Sequence, residues 1–413
     1  MMIYLFVFSL LLHINQGTTD VFPCPPSRIV IEESLQEANI PGLAVIVINA
    51  TDILFEQGFG YNAPPIFDQR RSIDPKNSIF VLASISKTFI ALAVMQLVEM
   101  KQLDLDKDIN QYLSITTTIF HPFFPNVSIT MRHILSHRSG IGPNFDEEIK
   151  HYLPGDDFTK TNLRELIFSY VNNTRNWFPH PPGNAVHYSN IGASLAAFVV
   201  EQISGMSFEK YVRERILRPL GINESDAGYR LSDFENRSDD LIEHYLFNSS
   251  WLEQAQTWLP QLNITQVDHH SNWLHIPHYS ISDYPSGLLR MSAHSLAVYL
   301  QSFLRNFPSI LSNTNSTNEM IRVSAEDYAE VQFGLIWNWR TFNGKRLVGH
   351  RGAMPGVTNL MMANEERSFG VILLSNGDVT KTDQSSVQVY ETLTNLMTDL
   401  FQCFETSLYS TKI

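Results

Sequence analysis

A serine and a lysine lie one helical turn apart at the start of a strongly apolar helical segment. Ser84 and Lys87 open the run LASISKTFIALAVMQLVEM, residues 82–100. A buried helix needs neither side chain for packing. At a helix N-terminus, free backbone N–H groups and the helix dipole stabilise an oxyanion, and dipole and burial together disfavour a lysine ammonium. The pair therefore has the chemistry of a serine nucleophile and its base.

The S-x-x-K pattern occurs a second time, so its context must decide between the two copies. Ser207 and Lys210 match the pattern equally well. There, however, Ser207 stands where the N-cap of an amphipathic helix is expected, and Lys210 falls on the polar face of that helix. We favour a structural role for this second copy and a reactive role for Ser84 and Lys87.

A lysine base needs a partner that returns the proton to the leaving group, and a phenol can do this. Two Y-x-N triplets are candidates, but Tyr170-Val171-Asn172 overlaps a glycosylation sequon. Tyr188 follows the turn-forming PPGN and precedes an apolar helix. We expect a polar side chain at this position to be held rigidly at the edge of a site. His350, in RLVGHRGAMPG, is a candidate third group on a strand. The alternatives are a core tyrosine at a helix entrance and a strand-end histidine without a role.

These motifs resemble those of a known superfamily. Ser84-Ile85-Ser86-Lys87, Tyr188-Ser189-Asn190 and His350-Arg351-Gly352 match, in order and spacing, the three motifs of serine β-lactamases and penicillin-binding proteins. The sequence is most similar to the class C β-lactamase, D-aminopeptidase and esterase group, which includes animal β-lactamase-like proteins. Blocks such as MRHILSHRSGI, FEKYVRERILRPLGI and PSGLLRMSAHSLAVYLQSFL extend the resemblance over residues 27–400, except for 229–284.

The resemblance implies a role for each of these side chains. Ser84 would form an acyl-enzyme, with Lys87 and Tyr188 as its acid/base partners. Asn190 would contact the substrate amide. The oxyanion hole would consist of the backbone N–H groups of Ser84 and Ala353. No cofactor is implied, and the expected partner is a small-molecule or peptide substrate.

The third motif departs from the pattern of the superfamily. β-Lactamases have a lysine where this chain has His350. A histidine can orient Tyr188 or a substrate carboxylate, but its charge near pH 7 depends on its surroundings. The replacement favours peptidase-like or esterase-like chemistry over β-lactam hydrolysis. Gly352 fits a strand edge that the substrate must approach closely.

Strand-like segments lie at both ends of the chain and helical segments lie between them. GLAVIVI and ILFEQGFGY come early, whereas RLVGH, TNLMMAN and FGVILLSN come late. This order predicts an α+β fold of the β-lactamase/transpeptidase type, with an antiparallel sheet built from both termini, flanked by helices, and an inserted mostly helical domain. We expect a discontinuous sheet domain at 24–83 and 285–413 and a helical domain at 84–284, with long loops at 229–284.

The N-terminus and the sequons indicate export. Residues 1–17, MMIYLFVFSLLLHINQG, predict a signal peptide that is too short to span a bilayer. An uncleaved anchor is the alternative, because the segment has no basic residue at its start. We therefore expect a secreted, extracellular glycoprotein without a membrane span in its mature form. Eight N-x-S/T sequons begin at Asn49, Asn126, Asn172, Asn223, Asn236, Asn248, Asn263 and Asn315.

The chain has two cysteines, one near each end. In an oxidising compartment, a disulfide between Cys24 and Cys403 would tie the two ends of the mature chain together. Two free buried thiols are the alternative. The disulfide requires the terminal helices to lie side by side, which a sheet built from both termini permits.

Charge and histidine spacing exclude several classes of function. With 29 basic and 42 acidic residues, the net charge of −13 argues against nucleic acid or an anionic membrane as a partner.

The histidine spacing does not predict a metal site. His133 and His137 are spaced i, i+4 but lack the glutamate of H-E-x-x-H. No metal is expected at the other histidine cluster either, since no cysteine or paired carboxylate accompanies it. That cluster consists of His269, His270, His275 and His278.

Two functions of different classes remain open from the sequence. The first is a secreted serine hydrolase that acts on a small amide, ester or peptide. The second is a non-catalytic extracellular matrix protein that retains the fold, as the resemblance to gigasin-type proteins of mollusc shell matrix implies. The intact motifs favour the hydrolase, because a non-catalytic protein has no physical reason to keep Lys87 beside a serine at a buried helix start.

Overall fold

Strands from both ends of the chain form one eight-stranded antiparallel sheet in the computed structural model, which describes residues 24–114, 118–327 and 331–410. The strands are β1 (Gly42–Asn49), β2 (Ile53–Gly60), β3 (Ile79–Val81), β4 (Tyr152–Pro154), β5 (Ala227–Gly228), β6 (His244–Phe247), β7 (Thr265–Gln266), β8 (Trp273–Ile276), β9 (Tyr279–Ile281), β10 (Arg290–Ser292), β11 (Ala325–Glu326), β12 (Gln332–Phe333), β13 (Asn338–Phe342), β14 (Lys345–Met354), β15 (Val357–Asn364) and β16 (Phe369–Ser375).

Helices cover both faces of this sheet and fill the middle of the chain. The α-helices are α1 (Arg28–Glu37), α2 (Lys87–Glu99), α3 (Met131–Leu135), α4 (Phe145–Glu148), α5 (Leu163–Val171), α6 (Asn190–Ser204), α7 (Phe208–Val212), α8 (Leu252–Trp258), α9 (Ala293–Leu304), α10 (Thr314–Ile321) and α11 (Gln384–Ser410).

The strand order confirms the predicted construction from both termini. The sheet runs β11-β12-β13-β14-β15-β16-β1-β2, so the early pair β1 and β2 joins the late strands through β16. β1 is buried on both faces, which explains its continuous Val/Ile run. Val45 and Val47 pack into the core with α1 and α11, whereas Ile46 and Ile48 face the larger core that includes α2 and α9.

The terminal helices α1 and α11 lie against each other on one face of the sheet. There the structure joins Cys24 and Cys403 in a disulfide, with their Cα atoms 5.4 Å apart. The pairing agrees with the prediction from the sequence. The predicted signal peptide at 1–17 lies outside the described residues.

The helical part of the molecule packs around α2 and α6. Eleven residues of α2, from Lys87 to Leu97, are all buried, so this helix is a core element on every side. α6 contacts α2, α3, α5 and α7. Among the residues that the structure describes, no single helix is long and apolar enough to cross a membrane. Only α6 and the helical segment Phe208–Leu220, taken together, have the length and composition of a span, and they are bent by 77° relative to each other.

The stretch at 229–284 differs from the predicted long loops. It contains β6, β7, β8, β9 and α8, and three of these strands form a small sheet in the order β6-β8-β7. Trp273 and Tyr245 pack together in a local apolar cluster there. The strands are two to four residues long. Segments of that length are too short to show the alternation from which strands are predicted.

Candidate active site

Ser84 lies in a short 3₁₀ turn, Ala83–Ser86, that leads directly into α2. It is the one residue of 78–97 that is not buried. The preceding Ala83 has a φ of +49°, a left-handed conformation that is unfavourable for a residue with a Cβ. The turn therefore holds a single hydroxyl at the surface of an otherwise buried helix start, where the helix dipole favours negative charge.

Lys87 is buried, with 1 % of its surface exposed, and its amine points at the serine. Its Nζ donates hydrogen bonds to Ser84 Oγ at 3.0 Å and to the backbone carbonyl of Ser286 at 2.7 Å. Ser286 closes the 3₁₀ turn Tyr284–Ser286, and its hydroxyl donates to Asp283 Oδ2 at 2.7 Å. The Ser286 carbonyl thus orients the lysine amine toward the nucleophile, and the hydrogen bond to Asp283 stabilises the turn that contains Ser286.

Tyr188 reaches the same amine from a third part of the chain. Ser189 is the N-cap of α6 and accepts a hydrogen bond from the Gly192 N–H, which fixes the residue before it. The Lys87 Nζ lies 5.2 Å from the centroid of the Tyr188 ring. That ring lies beside His137 and His350, with centroid separations of 4.3 and 6.3 Å. The structure therefore brings the three motifs together.

The two histidines beside Tyr188 are neutral. Burial, together with the Lys87 charge, holds the pKa of His350 well below its ordinary value. The same causes lower the pKa of His137 to about 3. His350 Nδ1 lies 2.6 Å from the Arg351 carbonyl and donates to it, so Nε2 is the acceptor nitrogen. His350 thus supplies no positive charge in place of the lysine of the third motif.

The β14 edge approaches the serine turn so closely that only glycine fits at one position. A Cβ on Gly352 would lie 2.2 Å from the Leu82 carbonyl oxygen and 3.0 Å from the Ala83 Cβ. Ala353 follows and lines the same cavity as Ser84. The two residues whose N–H groups are predicted to form the oxyanion hole, Ser84 and Ala353, therefore line one cavity.

The cavity in front of Ser84 has a volume of about 70 Å³. Of the residues singled out from the sequence, Ser84, Lys87, Asn190 and Ala353 line it, whereas Tyr188, His350 and Gly352 lie outside its wall. The other polar lining residues belong to none of the three sequence motifs. These are Glu148, His151, Tyr152, Asp283 and Ser286.

Glu148 and Asn190 form a direct pair in the cavity wall. Asn190 Nδ2 donates to Glu148 Oε2 at 3.1 Å, while Glu148 Oε1 is shielded from solvent and has no hydrogen-bond partner in the described structure. Burial and then the nearby Asp283 charge raise the pKa of Glu148 above its ordinary value. Asn190 thus contacts an acidic side chain that the sequence motifs do not predict.

Asp283 and His151 form a second pair, with 3.6 Å between Asp283 Oδ1 and His151 Nδ1. Burial opposes the charge on each. The attraction between the two opposite charges, helped at Asp283 by the hydrogen bond from the Ser286 hydroxyl, outweighs burial, so the pKa of Asp283 is held below 3.8 and that of His151 above 6.5. No sequence pattern links these residues, because they lie on segments that meet only where β4 pairs with β9.

The other predicted positions lie away from this cavity. Ser207 is the N-cap of α7, accepting from the Lys210 N–H at 3.3 Å, as expected. His133 forms a capping box with Thr130 at the start of α3. Asn49 and Asn248 are partly buried. The six exposed sequon asparagines are Asn126, Asn172, Asn223, Asn236, Asn263 and Asn315.

Fold and site together define the β-lactamase/transpeptidase-like class, and comparison with known proteins agrees. A model of the beta-lactamase family matches residues 28–393. The chain belongs to this family, within the superfamily of β-lactamases and penicillin-binding proteins, which confirms that resemblance. The finer placement beside gigasin-type animal proteins stays a prediction.

Three relatives illustrate the similarity. Penicillin-binding protein 4* of Bacillus subtilis (strain 168) is 25% identical over 87% of this chain and 73% of its own length. Protein flp of Staphylococcus aureus (strain MRSA252) is 22% identical over 84% of this chain, which spans 62% of that protein. The structure of D-amino acid amidase from Ochrobactrum anthropi SV3 complexed with L-phenylalanine matches with a TM-score of 0.71 at 19% identity. The match covers 92% of this chain and 99% of that one, and it shows the shared fold.

Proposed function

We propose that this protein is a serine hydrolase that cleaves a small amide, ester or short peptide through an acyl-enzyme on Ser84. One observation carries the proposal. The buried Lys87 amine donates to the Ser84 hydroxyl at 3.0 Å and is anchored by the Ser286 carbonyl at 2.7 Å. A nucleophile and base within hydrogen-bond reach, with the base oriented by a third group, is the arrangement that acyl transfer needs.

The reaction follows from these positions. Lys87 takes the proton of Ser84 as the hydroxyl oxygen attacks the substrate carbonyl. The N–H groups of Ser84 and Ala353 stabilise the resulting oxyanion. Lys87 and Tyr188 then return the proton to the leaving amine or alcohol, and the carbon–leaving-group bond breaks. Water hydrolyses the acyl-enzyme by the same proton transfers in reverse.

One feature supports a simple amide or ester substrate over a β-lactam. The neutral His350 supplies no cation for the substrate carboxylate that a lysine in the third motif would attract. Secretion belongs to the same proposal. The disulfide between Cys24 and Cys403 and the six exposed sequon asparagines suit an oxidising, extracellular compartment.

A labelled fluorophosphonate tests the proposal on the full chain. We expect it to modify the wild type and not Ser84→Ala. Ser207→Ala is the matched control, because Ser207 begins the other S-x-x-K and serves as a helix cap. The control should label like the wild type despite a stability loss of about 1 kcal/mol. Failure of the folded wild type to label would instead favour the non-catalytic matrix protein.

A further inference from the structure

We propose that His137 is a positioning residue that holds Tyr188 in place for proton transfer. The inference rests on the proposed function, in which Tyr188 and Lys87 return the proton to the leaving group. His137 follows α3 by two residues and is buried, with 1 % of its surface exposed. It belongs to none of the three motifs, and the reaction described above gives it no role.

His137 binds the backbone on both sides of Tyr188. Its carbonyl accepts a hydrogen bond from the His187 N–H at 2.7 Å, and its Nδ1 accepts one from the Ser189 N–H at 3.2 Å. Its ring also packs against the phenol ring, with the centroids 4.3 Å apart and 34° between the ring planes. Two backbone hydrogen bonds and one ring contact, all from one residue, therefore fix the tyrosine.

The imidazole supplies an acceptor that α6 itself lacks. Ser189 is the N-cap of α6. In a capping box, the N–H of the N-cap residue donates to the side chain of the third helical residue. That residue here is Gly192, which has no side chain to accept the bond. His137, 52 residues earlier in the chain, accepts it instead.

His137 carries two energetic costs that an apolar side chain in a relaxed backbone would avoid. Its φ of +57° is a left-handed conformation that a residue with a Cβ disfavours. Because Nδ1 accepts a hydrogen bond, Nε2 carries the ring proton. This Nε2 is shielded from solvent and has no hydrogen-bond partner among the described residues. Backbone strain of this kind is typical of functional sites, and here it lies where the Tyr188 segment is bound.

The hydrogen bond to Ser189 requires a neutral imidazole, and the surroundings provide one. Burial and the Lys87 charge lower the pKa of His137 to about 3, so Nδ1 keeps its lone pair at neutral pH. A protonated imidazole would lose this bond and would repel the Lys87 ammonium. His137 thus positions the phenol without adding a charge to the site.

Two substitutions separate the acceptor from the rest of the side chain. His137→Ala removes the acceptor and the ring but keeps the Cβ, so the strain of the backbone is unchanged. His137→Asn restores an acceptor, since its Oδ1 takes the place of Nδ1, and asparagine tolerates a positive φ. His133→Ala is the matched control, because His133 Nδ1 accepts from the N-cap N–H of Thr130 at 3.4 Å, at the start of α3 rather than α6.

Hydrogen exchange of the full chain, followed by mass spectrometry, measures how firmly the Tyr188 segment is held. We expect residues 187–190 to exchange about 5- to 10-fold faster in His137→Ala, as the loss of one hydrogen bond implies. The exchange should return toward the wild-type rate in His137→Asn and stay unchanged in His133→Ala, with β1 as the internal reference for global stability. Unchanged exchange in His137→Ala would overturn the inference, whether or not the protein is a hydrolase.

Hydrolysis of ethyl acetate and p-nitrophenyl acetate tests whether this placement serves the reaction. We expect His137→Ala to slow the ethyl ester about 10- to 100-fold, the cost of a misplaced catalytic group. The p-nitrophenyl ester should slow much less, because p-nitrophenolate leaves without a proton. The double variant of His137→Ala with Tyr188→Phe should be no slower than Tyr188→Phe alone, because His137 acts through the phenol.

The outcomes distinguish this inference from the proposed function. An equal loss on both esters, or additive losses in the double variant, would overturn the inference and leave the hydrolase proposal intact. If the wild type neither hydrolyses an ester nor labels at Ser84, the hydrolase proposal fails. Hydrogen exchange then decides alone whether His137 holds the Tyr188 segment.

Discussion

The Lys87 amine donates a hydrogen bond to the backbone carbonyl of Ser286, 199 residues further along the chain. This bond joins the first turn of α2 to the turn that precedes β10. Because a backbone carbonyl cannot be removed by substitution, the lysine is oriented by the fold itself. The hydroxyl of Ser84 is its other partner.

Lys87→Met keeps the length and apolar contacts of the side chain but removes the base. We expect the rate of Ser84 labelling, and of ester hydrolysis, to fall about 10²- to 10⁴-fold, the usual contribution of a general base. Stopped-flow or time-resolved labelling measures it. Lys210→Met, in the other S-x-x-K motif, is the control and should leave the rate unchanged. A Lys87→Met rate within threefold of the wild type would contradict the assigned role.

Gly352→Ala tests the close approach of β14 to the serine turn. Its Cβ would lie 2.2 Å from the Leu82 carbonyl, so the turn must shift. We expect the variant to lose about 1–3 kcal/mol of unfolding free energy, together with most of its labelling at Ser84.

Gly370→Ala in β16 is the control for that substitution. The atoms nearest to its added methyl belong to the side chains of Leu300, at 2.6 Å, and Ile48, at 3.1 Å, whereas Gly352 would meet backbone. Denaturant unfolding and labelling are measured on both variants. If Gly352→Ala labels as fast as Gly370→Ala, the turn does not depend on the glycine.

The His151–Asp283 pair predicts a pH dependence of stability. The pKa of His151 is raised above 6.5 in the folded protein, so its contribution is complete below 6.5 and is lost as pH rises through the folded value. The pKa of Asp283 is lowered below 3.8, so its contribution is complete above 3.8 and is lost as pH falls through the folded value. The pair stabilises the fold most between these limits.

His151→Asn should therefore destabilise the protein most near pH 5, by about 1–3 kcal/mol. The difference from the wild type should shrink as the pH rises through the raised pKa of His151, where the wild-type imidazole loses its charge. Urea unfolding at pH 5, 7 and 9 measures this. His180→Asn provides the control, because His180 is exposed and does not line the cavity. A difference that grows with pH would have the wrong sign for this pair.

Removal of the disulfide tests how strongly the chain ends are tied. Cys24 and Cys403 are separated by 379 residues, and they close a loop around nearly the whole described chain. We expect Cys24→Ser with Cys403→Ser to lower the free energy of unfolding by about 2–5 kcal/mol. Thermal or denaturant unfolding measures the loss. Reductant should destabilise the wild type and leave the double variant unchanged.

The sequence predicted those parts of the site that are local or lie in recognisable motifs. Ser84 and Lys87 are one turn apart on one helix, so their contact follows from helix geometry. The placement of Tyr188 and His350 beside them came from resemblance to a family. The sheet was predictable because β1 and β16 carry long runs of β-forming residues.

The acidic wall of the cavity could not be predicted in this way. Glu148 lies in a four-residue helix in the charged segment FDEE, a composition typical of a solvated surface. Asp283 follows a stretch whose strands are too short to be predicted from the alternation of apolar and polar residues. The two acids meet only through tertiary contacts. The carbonyl of Ser286 carries no side-chain signal at all, although it holds the lysine in place.

The most direct test of the central claim is mass spectrometry of the acyl-enzyme. The full chain is mixed with a small activated ester, quenched in acid within seconds and digested. We predict an acyl group on the peptide that contains Ser84, present in the wild type and absent from Ser84→Ala. An acyl group on another residue, or hydrolysis of the ester by Ser84→Ala at the wild-type rate, would contradict the account.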